Sequence, residues 1–161
     1  MKKISLIAIM LLTVAIVSGA GCTKNATENA VESATGGSAD VDIDNNTMKV
    51  ETDEGTLEVG ENVSLPSDFP SDVHVADGDI LLASKTSDDA FSVTVETSKS
   101  VSEMQTEYET EFANDGWDVN TTLAFGGMVT LGGEKDNRMV TVSISESEGK
   151  TLVIITTAQT E

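Results

Sequence analysis

The chain has 161 residues, of which 28 are Asp or Glu and nine are Lys or Arg, so its formal net charge is −19. A chain of this length can form one domain beyond any targeting segment. Its negative charge repels nucleic acid and anionic lipid headgroups and attracts cations and basic partners, so we expect no nucleic-acid partner.

The first 21 residues differ in composition from the rest of the chain. Two lysines precede an apolar run from Ile4 to Val17, and four small residues follow it. This order is typical of a secretory signal peptide, and the apolar run is shorter than the about 20 residues that a membrane-spanning helix needs. Because this segment includes two of the nine basic residues and none of the 28 acidic ones, residues 22–161 carry seven basic and 28 acidic residues, a net charge of −21.

Cys22 is the only cysteine and directly follows this segment. Together with Ala20 and Gly21 it resembles the lipobox of bacterial and archaeal lipoproteins, although Gly19 stands where that family usually has leucine. The resemblance implies that Cys22 is lipidated and that the mature protein is anchored to the cell membrane and faces outward. Cleavage after Ala20 without lipidation is the alternative, and it would leave a free thiol near the new amino terminus.

Residues 22–46 are expected to form a flexible linker, because they are polar and offer few sizeable apolar side chains to bury. Part of this segment and part of the following chain carry Asn-x-Ser/Thr triplets, which accept N-linked glycans in a host that has the enzymes. The candidate glycosylation sites are Asn25, Asn45, Asn62 and Asn120.

Residues 47–161 are expected to form a small α+β domain that begins with two hairpins. Alternating polar and apolar residues predict strands at 47–52, 55–60, 80–86 and 90–97. The segment 64–78 contains both prolines of the chain and is expected to be irregular.

The next segment has the period of a helix. Ser100 and Glu103 have the spacing of a capping box, in which each side chain accepts a hydrogen bond from the other residue's main-chain amide. Apolar residues then recur along one side of the helix, at Val101, Met104, Tyr108 and Phe112. Gly116 is expected to end the helix, because glycine readily adopts the left-handed conformation that a helix end requires.

Four further strands are expected to complete an antiparallel sheet of hairpins and a meander, with the long amphipathic helix packed on one face. In the first of these strands Trp117, Val119 and Leu123 are expected to point inward. Residues 152–155 are apolar on both faces, so the last strand is expected to be central. Hydroxyl side chains are expected on the outward faces, at Ser92, Thr94, Thr130, Thr141, Ser143 and Ser145. Such a face could dock a glycan or a partner protein, although threonine is also the polar residue best suited to strands.

A second resemblance concerns the folded part. Residues 65–72 read Leu-Pro-Ser-Asp-Phe-Pro-Ser-Asp, and Gly116-Trp117 follows the predicted helix. In these features the chain resembles uncharacterised exported lipoproteins of prokaryotes over about residues 48 to 158, although residues 73–75 depart from their usual Pro and Tyr. The resemblance implies a fold and no chemistry. Phe69 and Trp117 are interpreted as anchors in the core.

One motif has the spacing of a calcium-binding loop. The ligand positions 1, 3, 5 and 12 of such a loop correspond to Asp40, Asp42, Asp44 and Glu51. Two features disagree with this interpretation. Val41 and Ile43 alternate with the aspartates as in a strand, and Asn45 stands at the position of the loop's glycine.

No set of residues indicates catalysis. His74 is the only histidine, and a catalytic or zinc site usually needs more such groups, so His74 is interpreted as a loop residue. We therefore expect a non-enzymatic binding or accessory module that needs no cofactor, with an envelope protein or a glycan as its partner. The alternative is an acidic surface protein that binds calcium or another cation through residues 40–51. An enzyme would require a deep pocket around His74 with several carboxylates.

Overall fold

The computed structural model describes residues 39–44, 46–53 and 55–160. Within these ranges the chain forms one helix, α1 (Val101–Asp115), and nine strands: β1 (Ala39–Asp44), β2 (Thr47–Thr52), β3 (Gly55–Gly60), β4 (Asp79–Ser87), β5 (Ala90–Thr97), β6 (Asp118–Phe125), β7 (Met128–Lys135), β8 (Arg138–Ser147) and β9 (Lys150–Gln159). The α+β expectation is confirmed in outline. The sheet contributes far more residues than the helix, which has 15.

The strands form one antiparallel sheet with the order β1-β2-β3-β4-β5-β9-β8-β7-β6. Both predicted hairpins are present, and β9 lies between β5 and β8, which confirms that the last strand is central. The sheet begins at Ala39, inside the segment 22–46 that was expected to be a linker. Apolar residues alternate with aspartates in this segment, which is the pattern of a strand. Val41 lies on the buried side of that strand.

Helix α1 begins and ends as the sequence predicts. The amide of Glu103 donates to Oγ of Ser100 (3.3 Å), and the amide of Ser100 donates to Oε2 of Glu103 (2.8 Å). Gly116 has a φ of 76°, and the amide of Trp117 donates to the carbonyl of Phe112 (2.8 Å). The buried side of α1 is formed by Met104, Tyr108 and Phe112. Among the described residues no helix, α1 included, is long and apolar enough to cross a membrane.

The larger hydrophobic core lies between α1 and one face of the sheet, which we call the helix face. Directly opposed residues of antiparallel strands share a face, so Val93, Ile155 and Val142 continue this face from β5 through β9 to β8. These three side chains are completely buried. Neighbouring rows and the segment 61–78 add Val73, Ala76, Val95, Val129, Leu131, Val140, Ile144 and Val153.

A β-bulge changes which side chains of β6 face this core. Val119 is paired with Gly133 on the helix face, as predicted, but it is 41% exposed there. Leu123 is 64% exposed, and the prediction that it points into the core is wrong. The register between β6 and β7 shifts directly after Val119, which leaves Asn120 as an extra residue in β6. Beyond the bulge Leu123 is paired with Thr130, which faces away from α1. The bulge thereby turns Leu123 to the other side of the sheet, which we call the opposite face.

A smaller hydrophobic cluster lies at the other end of the sheet, on the opposite face. Leu57 is paired with Ser84, and Ser84 with Ser92, whose neighbour Val93 points the other way. The cluster consists of Ala39, Val41, Val50 and Leu57, with Ile43, Met48, Val59 and Leu82 packed against it. The described members of both hydrophobic clusters lie between Ala39 and Ile155.

The segment 61–78 crosses the helix face and is held there by aromatic contacts. Phe69 packs edge-on against Phe91 of β5 with their ring centroids 5.6 Å apart. Nε1 of Trp117 donates to the main-chain carbonyl of Asp72 (2.8 Å). Because Trp117 is 5% exposed and Phe69 packs against the larger core, the interpretation of both residues as core anchors is confirmed.

An ionic cluster fixes the middle of the same segment. The carboxylate of Asp72 accepts hydrogen bonds from both terminal nitrogens of Arg138 and from Nζ of Lys135 (2.8 Å). Lys135 also donates to the carbonyl of Asp115 (2.7 Å). The hydrogen bonds from Arg138 and Lys135 hold the pKa of Asp72 well below its ordinary value despite its partial burial. The segment is therefore joined to β7, β8 and the end of α1.

Candidate functional site

The candidate calcium ligands lie on a strand pair rather than in a loop. Asp40 is directly opposite Glu51, and Asp42 is opposite Lys49. The register places these side chains on the helix face at the β1 edge of the sheet, where Asp40, Asp42 and Glu51 are exposed. Asp44 is the last residue of β1, and its side chain lies outside the described part. The extended backbone spaces the aspartates along a row, whereas a calcium loop folds its ligands around one point.

Lys49 supplies a positive charge among these acids. Its Nζ lies 2.9 Å from Oε1 of Glu51. The hydrogen bond with Glu51 and the charges of Glu58 and Asp42 raise the pKa of Lys49 above its ordinary value. In the part of the chain that the structure describes, no group of three or more Asp, Glu, His or Cys side chains is arranged to hold a metal ion.

The modification candidates are only partly covered by the structure. Cys22, Asn25 and Asn45 lie outside the described residues, so their modification stays a prediction. Asn62 is exposed in the turn after β3, with a φ of 58°. Asn120 is exposed at the bulge of β6, where its Nδ2 donates to Oε1 of Glu134 (2.9 Å). The structure leaves both asparagines accessible to a modifying enzyme.

A groove of about 870 Å³ lies at the N-terminal end of α1. Three chain segments form its walls: the helix start at 98–105, the tip of the β6–β7 hairpin at 124–129, and the β8–β9 turn with its flanks at 146–151. Along the rest of α1 the side chains of Met104, Tyr108 and Phe112 are at most 2% exposed and fill the space between helix and sheet. The groove at the start of the helix, by contrast, leaves open space between α1 and the two hairpins.

The hairpin tip gives the groove an apolar wall. Phe125 is 86% exposed, and its cross-strand partner Met128 is 46% exposed. Between them Gly126 and Gly127 have φ values of 61° and 85°, as a two-residue hairpin turn of type I′ requires. An aromatic side chain presented to solvent at the tip of a tight hairpin is a natural contact residue for a ligand or partner.

The other walls carry lysines that are already paired. Nζ of Lys99 donates to Oε2 of Glu107 (2.5 Å), and Lys150 pairs with Glu96. Nε2 of His74 lies 3.0 Å from the second carboxylate oxygen of Glu107. Burial alone would raise the pKa of Glu107, but the hydrogen bonds from Lys99 and His74 bring it below its ordinary value. His74 is a loop residue, as interpreted, and with Lys99 it holds Glu107 ionised beside the groove.

The predicted hydroxyl residues do share one face, the opposite face. A row of cross-strand partners runs from Thr94 through Ile154 and Ser143 to Thr130. The neighbouring rows of the same face contain Ser92, Thr141 and Ser145. The outward direction of these side chains is therefore confirmed, and their role in docking stays a prediction.

Sequence reasoning missed the exposed apolar side chains that accompany these hydroxyl groups. The register places five of them on the opposite face: Leu123, Phe125, Met128, Met139 and Ile154. For Leu123 the bulge hid the orientation, because a register shift depends on both strands. For Phe125 a signal was present in the sequence, since a Gly-Gly pair follows it directly and marks a hairpin tip.

Comparison with known proteins gives one match. A family model described as START domain-like matches residues 80–150. No curated protein and no solved structure matches the chain. The matched segment runs from β4 to the first residue of β9 and includes α1 and the β6–β7 hairpin. The part of the chain that forms most of the groove is therefore similar to START domain-like proteins.

Proposed function

We propose that the chain is a lipoprotein anchored on the outer side of the cell membrane, and that its folded part is a non-enzymatic binding or accessory module. The apolar leader that ends directly before the only cysteine supports the anchor. The net charge of −21 in residues 22–161 suits a soluble domain held at a distance from anionic headgroups.

The groove at the N-terminal end of α1 carries the binding part of this proposal. Phe125 and Met128 line the groove together with Lys99 and Lys150, so its lining combines exposed apolar residues with charged ones. Ligand sites commonly combine a large apolar surface with a few polar groups that orient the ligand. The similarity of residues 80–150 to START domain-like proteins is compatible with a ligand-binding module.

An envelope protein or a glycan suits this surface best. The opposite face next to Phe125 presents hydroxyl groups, which hydrogen-bond to either class, and exposed apolar side chains such as Leu123 and Ile154. Aromatic residues and methionine are enriched in protein–protein interfaces, and charged residues are depleted at the interface core. The acidic chain would in turn favour a partner that is neutral or basic.

Cation binding at the β1–β2 edge is the alternative function. The pairing of Asp40 with Glu51 does bring the first and last residues of the calcium motif together. Lys49 lies between the acidic side chains, however, and its ammonium group occupies the region where a cation would be attracted.

Photo-crosslinking on intact cells tests the binding proposal. A photoreactive residue at Gln105, which lines the groove, should capture a reproducible partner that mass spectrometry identifies. The same residue at Asp53, in the exposed β2–β3 turn, is the matched control and should capture none. A blank across replicates at Gln105, Phe125 and Gly127 would contradict the proposal.

A further inference from the structure

The two edges of the sheet differ in charge. β1 forms one edge and has an aspartate at every second position, at 40, 42 and 44. β6 forms the other edge and has no charged residue after Asp118. Charged side chains on an edge strand discourage pairing with another chain, so β1 is protected in this way and β6 is not.

The uncharged region extends beyond the edge itself. Residues 119–133 contain no Asp, Glu, Lys, Arg or His, although residues 22–161 carry a net charge of −21. Within this region Leu123 and Phe125 of the edge strand are 64% and 86% exposed. Two copies of so acidic a protein repel each other over most of their surface. At the β6 edge a second copy can approach without placing acidic side chains of the two copies next to each other.

We propose that β6 pairs antiparallel with β6 of a second copy, so that two sheets continue into one across a two-fold axis. The bulge at Asn120 limits the regular edge to residues 121–125, whose centre is Leu123. A two-fold axis normal to the sheet at Leu123 sets this residue opposite its counterpart and Phe125 opposite Thr121 of the other copy. Opposed residues then share a face, as an antiparallel pair requires.

The orientation follows from the one charge that β6 carries. Antiparallel pairing places Asp118 of the two copies at opposite ends of the shared ladder, whereas parallel pairing would set them side by side. A strand of a neutral or basic partner would tolerate an acidic edge, but a second copy of this chain would not. The absence of charge beyond Asp118 therefore favours self-association over addition of a foreign strand. This inference uses the side of β6 that has no neighbouring strand among the described residues, and it does not depend on a ligand in the groove.

Sedimentation equilibrium tests the pairing with the exported chain carrying Cys22→Ser, which removes the thiol that would accept a lipid. The protein is produced without glycosylation, because a glycan on Asn120 would stand on the edge. We expect a dimer that becomes tighter at high NaCl, since salt screens the repulsion between the acidic copies. A protein that stays monomeric at its highest soluble concentration in low and high salt would overturn the proposal, and would leave strand addition by another protein as the use of this edge.

Matched variants locate the contact. Leu123→Lys sets two ammonium groups face to face at the axis and should give a monomer. Ile154→Lys adds the same charge to the same face on β9, away from the edge, and should leave the dimer intact. If both variants dissociate the dimer, or neither does, the β6 edge is not the interface and the proposal fails.

Disulfide trapping can detect the pairing even where a cysteine substitution slightly weakens the dimer. Directly opposed Cα atoms of antiparallel strands are about 4.5–5.5 Å apart, which lies within disulfide range. Leu123→Cys should therefore form a covalent dimer under mild oxidation far faster than Ile154→Cys. Equal rates for the two variants would show that the thiols meet by random collision and would overturn the assigned register.

Discussion

Nε1 of Trp117 donates a 2.8 Å hydrogen bond to the main-chain carbonyl of Asp72, across 45 residues of sequence. This bond joins residues 65–72 to Gly116-Trp117, the two parts of the motif on which the predicted resemblance to exported lipoproteins rests. Lys135 and Arg138, which bind the Asp72 carboxylate, also lie over the indole ring, with Nζ and Cζ 5.7 Å and 5.2 Å from its centre. The motif therefore closes the segment 61–78 over the core, and its role in this chain is structural.

Replacing the indole should loosen this closure. Trp117→Phe removes the donor to the Asp72 carbonyl and leaves part of the indole's volume unfilled, so we expect the free energy of unfolding to fall by about 2–3 kcal/mol. Trp117 is the only tryptophan, so unfolding in urea is followed by far-ultraviolet circular dichroism rather than by fluorescence. The exposed Phe125 provides the control, and Phe125→Leu should change stability by less than about 0.5 kcal/mol. An unchanged urea midpoint for Trp117→Phe would contradict the structural role of this bond.

The carboxylate of Asp72 should stabilise the fold in a pH-dependent way. Hydrogen bonds from Arg138 and Lys135 hold its folded-state pKa well below the ordinary value of 3.8, so the unfolded chain takes up the proton more readily on acidification. The stabilisation is fully present above that ordinary pKa and is lost as the pH falls through it toward the folded-state pKa. At neutral pH, Asp72→Asn should lower the free energy of unfolding by about 1.5–3 kcal/mol.

The pH profile separates this ion pair from the general effect of 28 acidic residues. The difference in stability between the wild type and Asp72→Asn should shrink as the pH falls below 3.8. Asp53→Asn removes an exposed turn carboxylate and should show no such change. A difference for Asp72→Asn that is the same at all pH values would indicate that packing, rather than the charged hydrogen bonds, accounts for its effect.

Elements that depend on neighbouring residues were predictable from the sequence. The capping box of Ser100 and Glu103 and the left-handed Gly116 are local signals, and α1 lies between them. The hairpins β2–β3 and β4–β5 likewise follow from alternation and short turns. The central position of β9 was predictable because residues 152–155 are apolar on both faces of the strand, which is typical of a strand inside a sheet.

Features that depend on two distant strands were not predictable. Alternation in β1 to β3 shows that one side of each strand is buried, but it does not tell which face of the sheet that side joins. The smaller cluster around Val50 and Leu57 therefore could not be assigned to the opposite face. The bulge at Asn120 likewise exists only as a mismatch between β6 and β7, and it reversed the orientation of Leu123. The exposure of Leu123 escaped notice for this reason, whereas the exposure of Phe125 was indicated by the Gly-Gly pair that follows it.

Lipidation at Cys22 is testable by mass and by fractionation. The native protein should partition into detergent with the membrane fraction, and its amino-terminal peptide should begin at Cys22 with the added mass of fatty chains. Cys22→Ser removes the thiol that accepts the lipid, so the variant should lose the added mass and leave the detergent phase. If cleavage instead follows Ala20, the wild type and Cys22→Ser would fractionate alike and both would begin at Gly21. That result would remove the anchor from the proposed function.

Calorimetry with calcium at high sodium decides between a diffuse acidic surface and a specific cation site. Because Lys49 lies 2.9 Å from Glu51 and faces Asp42 across the strand pair, we expect no saturable heat from the wild type. Lys49→Ala removes the internal cation, and high sodium then screens the acids that remain, so this variant should also give no defined stoichiometry. A saturable heat in the wild type that disappears in Asp40→Asn would contradict this expectation. It would show that Asp40 and Glu51, already opposed in the sheet, bind the ion directly while Lys49 moves aside.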